Sequence, residues 1–215
     1  MSIQQSKHWQ LGSYLMAVLT VSLAAIAAKH VFAAPVQDAN ATVLRTAASF
    51  ASIKNPSDRS RAMFLEAGKV IMHSRCMNCH PSGDTPSQGD AFEPHLPAVV
   101  RGKDGHGAIG LRCNTCHQVE NYDVSKVPGN PAWGLAPLEM AWQGHTLAQI
   151  CEQIKDPKRN GGKTLPQIHE HMAHDTLVGW AWNPGASRKP APGTQAQFGE
   201  LIQGWIEGGA ECPKK

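Results

Sequence analysis

Cys76-Met-Asn-Cys79-His80 and Cys113-Asn-Thr-Cys116-His117 constrain this chain more than any other feature. Each is a Cys-x-x-Cys-His, the attachment signature of c-type haem. Two thiols three residues apart on one turn can add to the two vinyl groups of one porphyrin. The histidine that follows is then carried beneath the iron as the proximal ligand. Zinc is the competing chemistry, because cysteine pairs and mixed cysteine–histidine sets are ordinary zinc ligands. A zinc ribbon, however, does not need a histidine straight after each second cysteine. A redox disulfide pair is a third use of the spacing. The repeated histidine favours two covalent haem c groups, with His80 and His117 as proximal ligands.

The N-terminus agrees. Lys7 and His8 precede an apolar run from Leu11 to Ala28, and small residues follow. That is the layout of a secretory signal peptide over residues 1–33, with Val31-Phe32-Ala33 as the best cleavage site. The run approaches the length of a membrane span, so an uncleaved anchor is the alternative. Both readings put the remaining chain in the periplasm, where haem is attached to such cytochromes. Membrane contact is expected only if the segment stays uncleaved.

Four of the six cysteines go to thioethers, which leaves Cys151 and Cys212. In an oxidising compartment an isolated pair predicts a disulfide, against the alternative of two buried thiols. Charge excludes little. Lys7 and Lys29 are the basic residues of positions 1–33, which contain no acidic residue, so 18 basic and 17 acidic residues remain beyond them, a net of +1. No basic patch suits a nucleic-acid partner. Arg75, Arg101 and Arg112 could pair with haem propionates or stand as solvated surface arginines.

Residues 34–58 lack a sustained apolar period and read as a flexible tether. A helix is expected from Ser57 or Asp58, with Met63, Phe64, Val70 and Ile71 in its apolar stripe, running into Cys76. A second amphipathic helix is expected over 198–208, carrying Leu201, Ile202, Trp205 and Ile206 and stopped by Gly208-Gly209. Residues 81–112 between the motifs number 32 and hold four prolines and six glycines. They read as loop, too short to complete one haem-enclosing domain before the next begins. The expected class is mainly α with long loops, cytochrome c-like, with two haems sharing one compact body over residues 59–215. Gly105-His-Gly107-Ala-Ile-Gly110 spells a dinucleotide-binding pattern, but no strand precedes it and Cys113 follows at once. Its glycines better suit backbone that passes close to a haem.

A sixth ligand on each iron would make an electron carrier, and an open position would admit small molecules. Met140 lies in an apolar stretch after a proline-punctuated loop. His95 is braced in Glu-Pro-His-Leu-Pro. The segment 164–175 has a capping-box start, Thr164 with Gln167. On its wheel His169 and His171 flank the stripe of Leu165, Ile168 and Met172, while His174 points away. The candidate distal ligands are therefore Met140, His95 and a histidine of that helix, with spacing alone unable to choose between His169 and His171.

Several longer stretches carry a family likeness: Val100-Arg-Gly-Lys-Asp-Gly, Met140-Ala-Trp-Gln-Gly, Ile150-Cys-Glu-Gln-Ile-Lys-Asp-Pro, Glu170-His-Met-Ala, Val178-Gly-Trp-Ala-Trp and the Ala210-Glu-Cys-Pro end. From about Ala62 to Pro213 the chain resembles periplasmic dihaem c-type cytochromes often labelled isoquinoline 1-oxidoreductase subunits. The resemblance implies service to a molybdenum hydroxylase whose own chemistry lies in a partner, and its Glu-His-Met match favours His171. The expected function is relay of electrons from a periplasmic dehydrogenase to a small cytochrome or oxidase, with no catalysis by this chain. The alternative is a dihaem enzyme of peroxidase or thiosulfate-oxidising type, with His106 or His145 near an open iron.

Overall fold

A computed structural model describes residues 43–185 and 188–214. The expected signal peptide or anchor, residues 1–33, lies outside the described residues. Among those described, no helix is long and apolar enough to cross a membrane.

Helix α1, Pro56–Ile71, starts where the sequence supplies a cap. The Asn55 side chain accepts from the Asp58 backbone N–H at 3.1 Å, and Pro56 occupies a first-turn position where a missing N–H costs nothing. Its buried stripe is Met63, Phe64, Ala67, Val70 and Ile71. The helix does not run into Cys76 as expected. It stops at Ile71, and His73 turns extended and caps a new four-residue helix, α2 (Ser74–Met77), by accepting from the Arg75 N–H at 3.2 Å. A side chain that satisfies the next backbone donor competes with continuation of the helix.

Two-residue ladders follow: β1 (Ser87–Gln88) with β2 (Glu93–Pro94), and β3 (Gly107–Ala108) with β4 (Leu111–Arg112), both antiparallel. Most of the chain between α2 and α3 is loop. It is bound together by Arg101, whose buried guanidinium donates to the carbonyls of Ala136, Pro81 and Gly83. Three helices come next, α3 (Leu147–Lys155), α4 (Leu165–His174) and α5 (Thr176–Gly179). The capping box of Thr164 with Gln167 forms as expected, and Thr146 with Gln149 makes another.

Helix α6, Gln195–Glu207, opens on a third capping box, Thr194 with Gln197, and ends at Gly208. It buries Phe198, Leu201, Ile202 and Trp205 and packs chiefly on α1 and α4. Phe64 and Trp205, both fully buried, meet at 4.8 Å between ring centres. Ser60 Oγ donates to the Trp205 carbonyl at 2.7 Å and accepts from the Glu211 N–H at 3.0 Å. A Cβ on Gly204 would strike the Met63 sulfur, so the close approach of α1 and α6 depends on that glycine. Cys151 of α3 is disulfide-bonded to Cys212, across 61 residues.

The described residues are thus mainly helical with long loops, and no barrel is present among them. The expected tether needs correcting from Val43 onward. Leu44 and Phe50 are buried in the core, and Ala47–Phe50 forms a 3-10 turn. Two isolated apolar anchors suffice to dock a segment that has no periodic face.

Candidate functional site

Both Cys-x-x-Cys-His motifs sit on short turns of helix. Cys76 lies on α2, and Cys113 opens a 3-10 turn, Cys113–Thr115, just after β4. Arg112 and Asp104 brace that turn through paired hydrogen bonds of 3.0 and 2.7 Å, so the Arg112 guanidinium is already taken. All four motif cysteines are free thiols. Burial pushes the Cys76 thiol up to about 12 and the Cys79 thiol to about 11, and it raises Cys113 as well. A thiol raised in this way is a poorer nucleophile than a free one. Among the described residues no group of three histidine, cysteine or acidic side chains converges as a protein-only metal site requires.

The two motif histidines are held alike. His80 Nδ1 is 2.8 Å from the Met140 carbonyl, and His117 Nδ1 is 2.7 Å from the Pro128 carbonyl. A carbonyl only accepts, so each Nδ1 carries the proton and each Nε2 keeps its lone pair. That is the tautomer of a metal-bound imidazole whose other nitrogen is fixed by an outer partner. Each ring is also stacked on a tryptophan: His80 on Trp142 at 3.6 Å and 7°, His117 on Trp133 at 4.6 Å and 16°. Two further bonds, from the Trp142 and Gln143 backbone N–H groups to the His80 carbonyl, lock the first histidine from behind. Burial holds both imidazoles neutral, pushing His80 down to about 4 and lowering His117.

Beside the second motif lies a cavity of about 490 Å³, within the usual range for small-molecule and cofactor sites. Its walls include Cys113, Cys116 and His117, but also Cys79 and Arg75 from the first motif, and His95. His95 donates through Nδ1 to the Pro97 carbonyl at 2.8 Å, so its Nε2 is free too. The His95 and His117 ring centres are 6.0 Å apart. Two imidazoles sharing one metal through bonds of about 2.0 Å have ring centres roughly 6 Å apart.

The other sixth-ligand candidates separate cleanly. His171 is half-buried, 3.4 Å from Asp175 through Nδ1, and close enough to His80 for its charge to help depress that imidazole. His169 instead lies edge-on to His174, 5.9 Å between ring centres. Met140 offers its backbone carbonyl to the His80 Nδ1–H, and its sulfur lies toward Gly161. His106 and His145 are exposed, and His106 is tied through Nδ1 to the Trp133 carbonyl at 3.0 Å. Gly105, Gly107 and Gly110 all have positive φ, and Gly107 runs against the Leu111–Cys113 backbone, where a Cβ would meet the Leu111 oxygen at 2.6 Å.

Buried polar atoms without a protein partner test whether a porphyrin fits. Among the described residues these are Arg75 Nε, Arg101 Nε, Trp142 Nε1 and Gln153 Oε1. Arg75 adjoins Cys76, Arg101 binds the carbonyls just past His80, and Trp142 stacks on His80. Arg101 Nε has the Asp84 carboxylate 3.7 Å away, but Arg75 Nε and Trp142 Nε1 are donors stranded about one motif, which cost free energy unless an acceptor meets them. The carboxylates of a haem would be such acceptors, so the donor set fits the group. The sequence reading missed Trp133 and Trp142 as site residues. Their signal was available only as tryptophans five and two residues beyond the carbonyls that clamp the histidines.

No protein-family model, curated protein or solved structure matches this chain.

Proposed function

We propose that this chain is a periplasmic dihaem c-type cytochrome that relays electrons from a dehydrogenase toward the respiratory chain. One haem attaches to Cys76 and Cys79 with His80 beneath it and His171 as the sixth ligand. The other attaches to Cys113 and Cys116, held between His117 and His95. The observation that carries the reading is the matched pair of Nδ1–H bonds, His80 to Met140 and His117 to Pro128, each leaving Nε2 free on the histidine that closes a Cys-x-x-Cys-His motif. The family resemblance supports a molybdenum hydroxylase as donor and a small cytochrome or oxidase as acceptor.

When bound, each haem supplies one reversible electron. The chain's own part is to fix both faces of each site. Carbonyl clamps hold the proximal rings, Trp142 and Trp133 set their planes, and a second imidazole on each side favours transfer over small-molecule binding. Arg75 and Cys79 line the cavity beside the second motif, so the two motifs adjoin and suit a short relay.

Intact mass of the exported protein should exceed the processed chain by two haems, and Cys116→Ala should remove one. Reduced protein should exchange electrons quickly with a small oxidised cytochrome c and consume neither peroxide nor thiosulfate. A colourless zinc protein would end the haem reading, and turnover of peroxide or thiosulfate would mark the chain as an enzyme.

A further inference from the structure

Arg75 has an unusual position for a cation. Its side chain is 1 % exposed, it immediately precedes Cys76, and it also lines the cavity that holds Cys113, Cys116 and His117. One guanidinium nitrogen, Nη2, is fully engaged, with Ser74 Oγ at 3.1 Å, the Gly89 carbonyl at 2.8 Å and the Asp90 carboxylate. Its neighbour on the same side of the fork, Nε, is buried with no hydrogen-bond partner in the protein. The guanidinium lies 5.8 Å above the Trp180 ring, which packs edge-on against Trp133, the ring stacked on His117. Arg75 therefore touches the frame of both motifs. A guanidinium cannot lose its proton, so this charge is permanent.

We propose that Arg75 is a positioning residue common to both haem sites: its unpartnered Nε–H takes a haem carboxylate, and its buried charge, balanced by Asp90, sets both reduction potentials together. The proposal rests on the dihaem reading above. Adding an electron to either iron makes its surroundings more negative, and a fixed cation in a poorly solvated wall favours that state. Asp90, 34 % exposed, opposes it.

The test compares the midpoint potentials of both haems in wild type, Arg75→Gln, Arg75→Lys and Asp90→Asn, with haem content read separately by intact mass. Arg75→Gln should lower both potentials by at least a tenfold change in the reduction equilibrium, about 59 mV for a one-electron couple. Arg75→Lys, which keeps the charge and loses the fork, should stay nearer wild type. Asp90→Asn should raise both. If Arg75→Gln fails to accumulate, the Asp90→Asn result decides alone: a rise at both haems upholds the proposal and no change overturns it. A shift confined to one haem, or equal shifts in the Gln and Lys variants, also overturns it. Absence of two haems from wild type would instead defeat the dihaem reading, which separates the two failures.

Discussion

His95 and His117 stand 6.0 Å apart between ring centres, and each turns its Nδ1 to the carbonyl of a proline, Pro97 and Pro128. Neither nitrogen that remains has a partner assigned by the fold. Twenty-two positions separate the two residues in sequence, and a glycine- and proline-rich loop brings them together. The pairing makes His95→Ala informative. One haem should become high-spin and bind CO, while the other stays low-spin. His95→Met should instead keep that haem six-coordinate and raise its potential, within the roughly 0.8 V that axial ligands span. Optical and EPR spectra would read both outcomes, and an unchanged His95→Ala spectrum would defeat the assignment.

Helix α4 offers a paired control. His171 is near His80, whereas His169 leans on His174. His171→Ala should open the sixth position at the first haem, and His169→Ala should leave both haem spectra as they are. Met140→Ala should loosen the His80 pocket slightly without removing any sulfur ligation, because the carbonyl that clamps His80 belongs to the backbone. A methionine–iron band lost in that variant would put the Met140 sulfur on an iron after all.

His73 supplies a pH dependence. It caps α2 by accepting at Nδ1, and burial, aided by Arg75, pushes its pKa down from 6.5 to about 4. The unfolded chain therefore takes up the proton first as pH falls. Stability from this group is fully present above pH 6.5 and drains away as pH drops toward 4. A protonated Nδ1 cannot accept, so about 1 kcal/mol of capping is lost. His73→Asn caps at any pH and should flatten the slope of thermal stability between those limits. Parallel slopes in the two proteins would show that His73 does not contribute.

The bond between Cys151 and Cys212 closes a loop 61 residues long in sequence separation. Removing it by a double Cys→Ser change should cost about 4 kcal/mol on the chain-entropy account. Chemical denaturation should show the midpoint falling and the slope steepening, because the uncrosslinked unfolded chain exposes more surface, and haem spectra should persist in the folded variant.

What the sequence disclosed was whatever is local. Both cysteine motifs, the capping box at Thr164, the helix around Trp205 and the leftover cysteine pair rest on spacings of a few residues or on counting. Relationships that need the chain to return on itself were illegible. The Trp142 stack on His80 spans 62 positions, and Arg75 reaches the second motif's cavity only through the fold. Leu44 and Phe50 escaped notice because docking by two anchors leaves no period to detect. The break before α2 escaped because a histidine is a rare cap, and only its geometry reveals the bond to Arg75. The Met140 carbonyl bond to His80 was illegible for a related reason: a methionine has a side chain and a carbonyl, and composition cannot say which of them a histidine 60 positions away will meet.

The tie from Ser60 to Trp205 and Glu211 has a consequence for how such a chain is made. Synthesis runs from the N-terminus, so both cysteine motifs emerge before residue 195 follows. Until then α1 has no α6 to lie against, and the motif thiols, three of them part-buried in the finished fold, stand open. The last helix acts as a clasp that shuts only after both motifs have been presented. The order of letters along the chain is in this sense a work schedule, with the closing step written at its end.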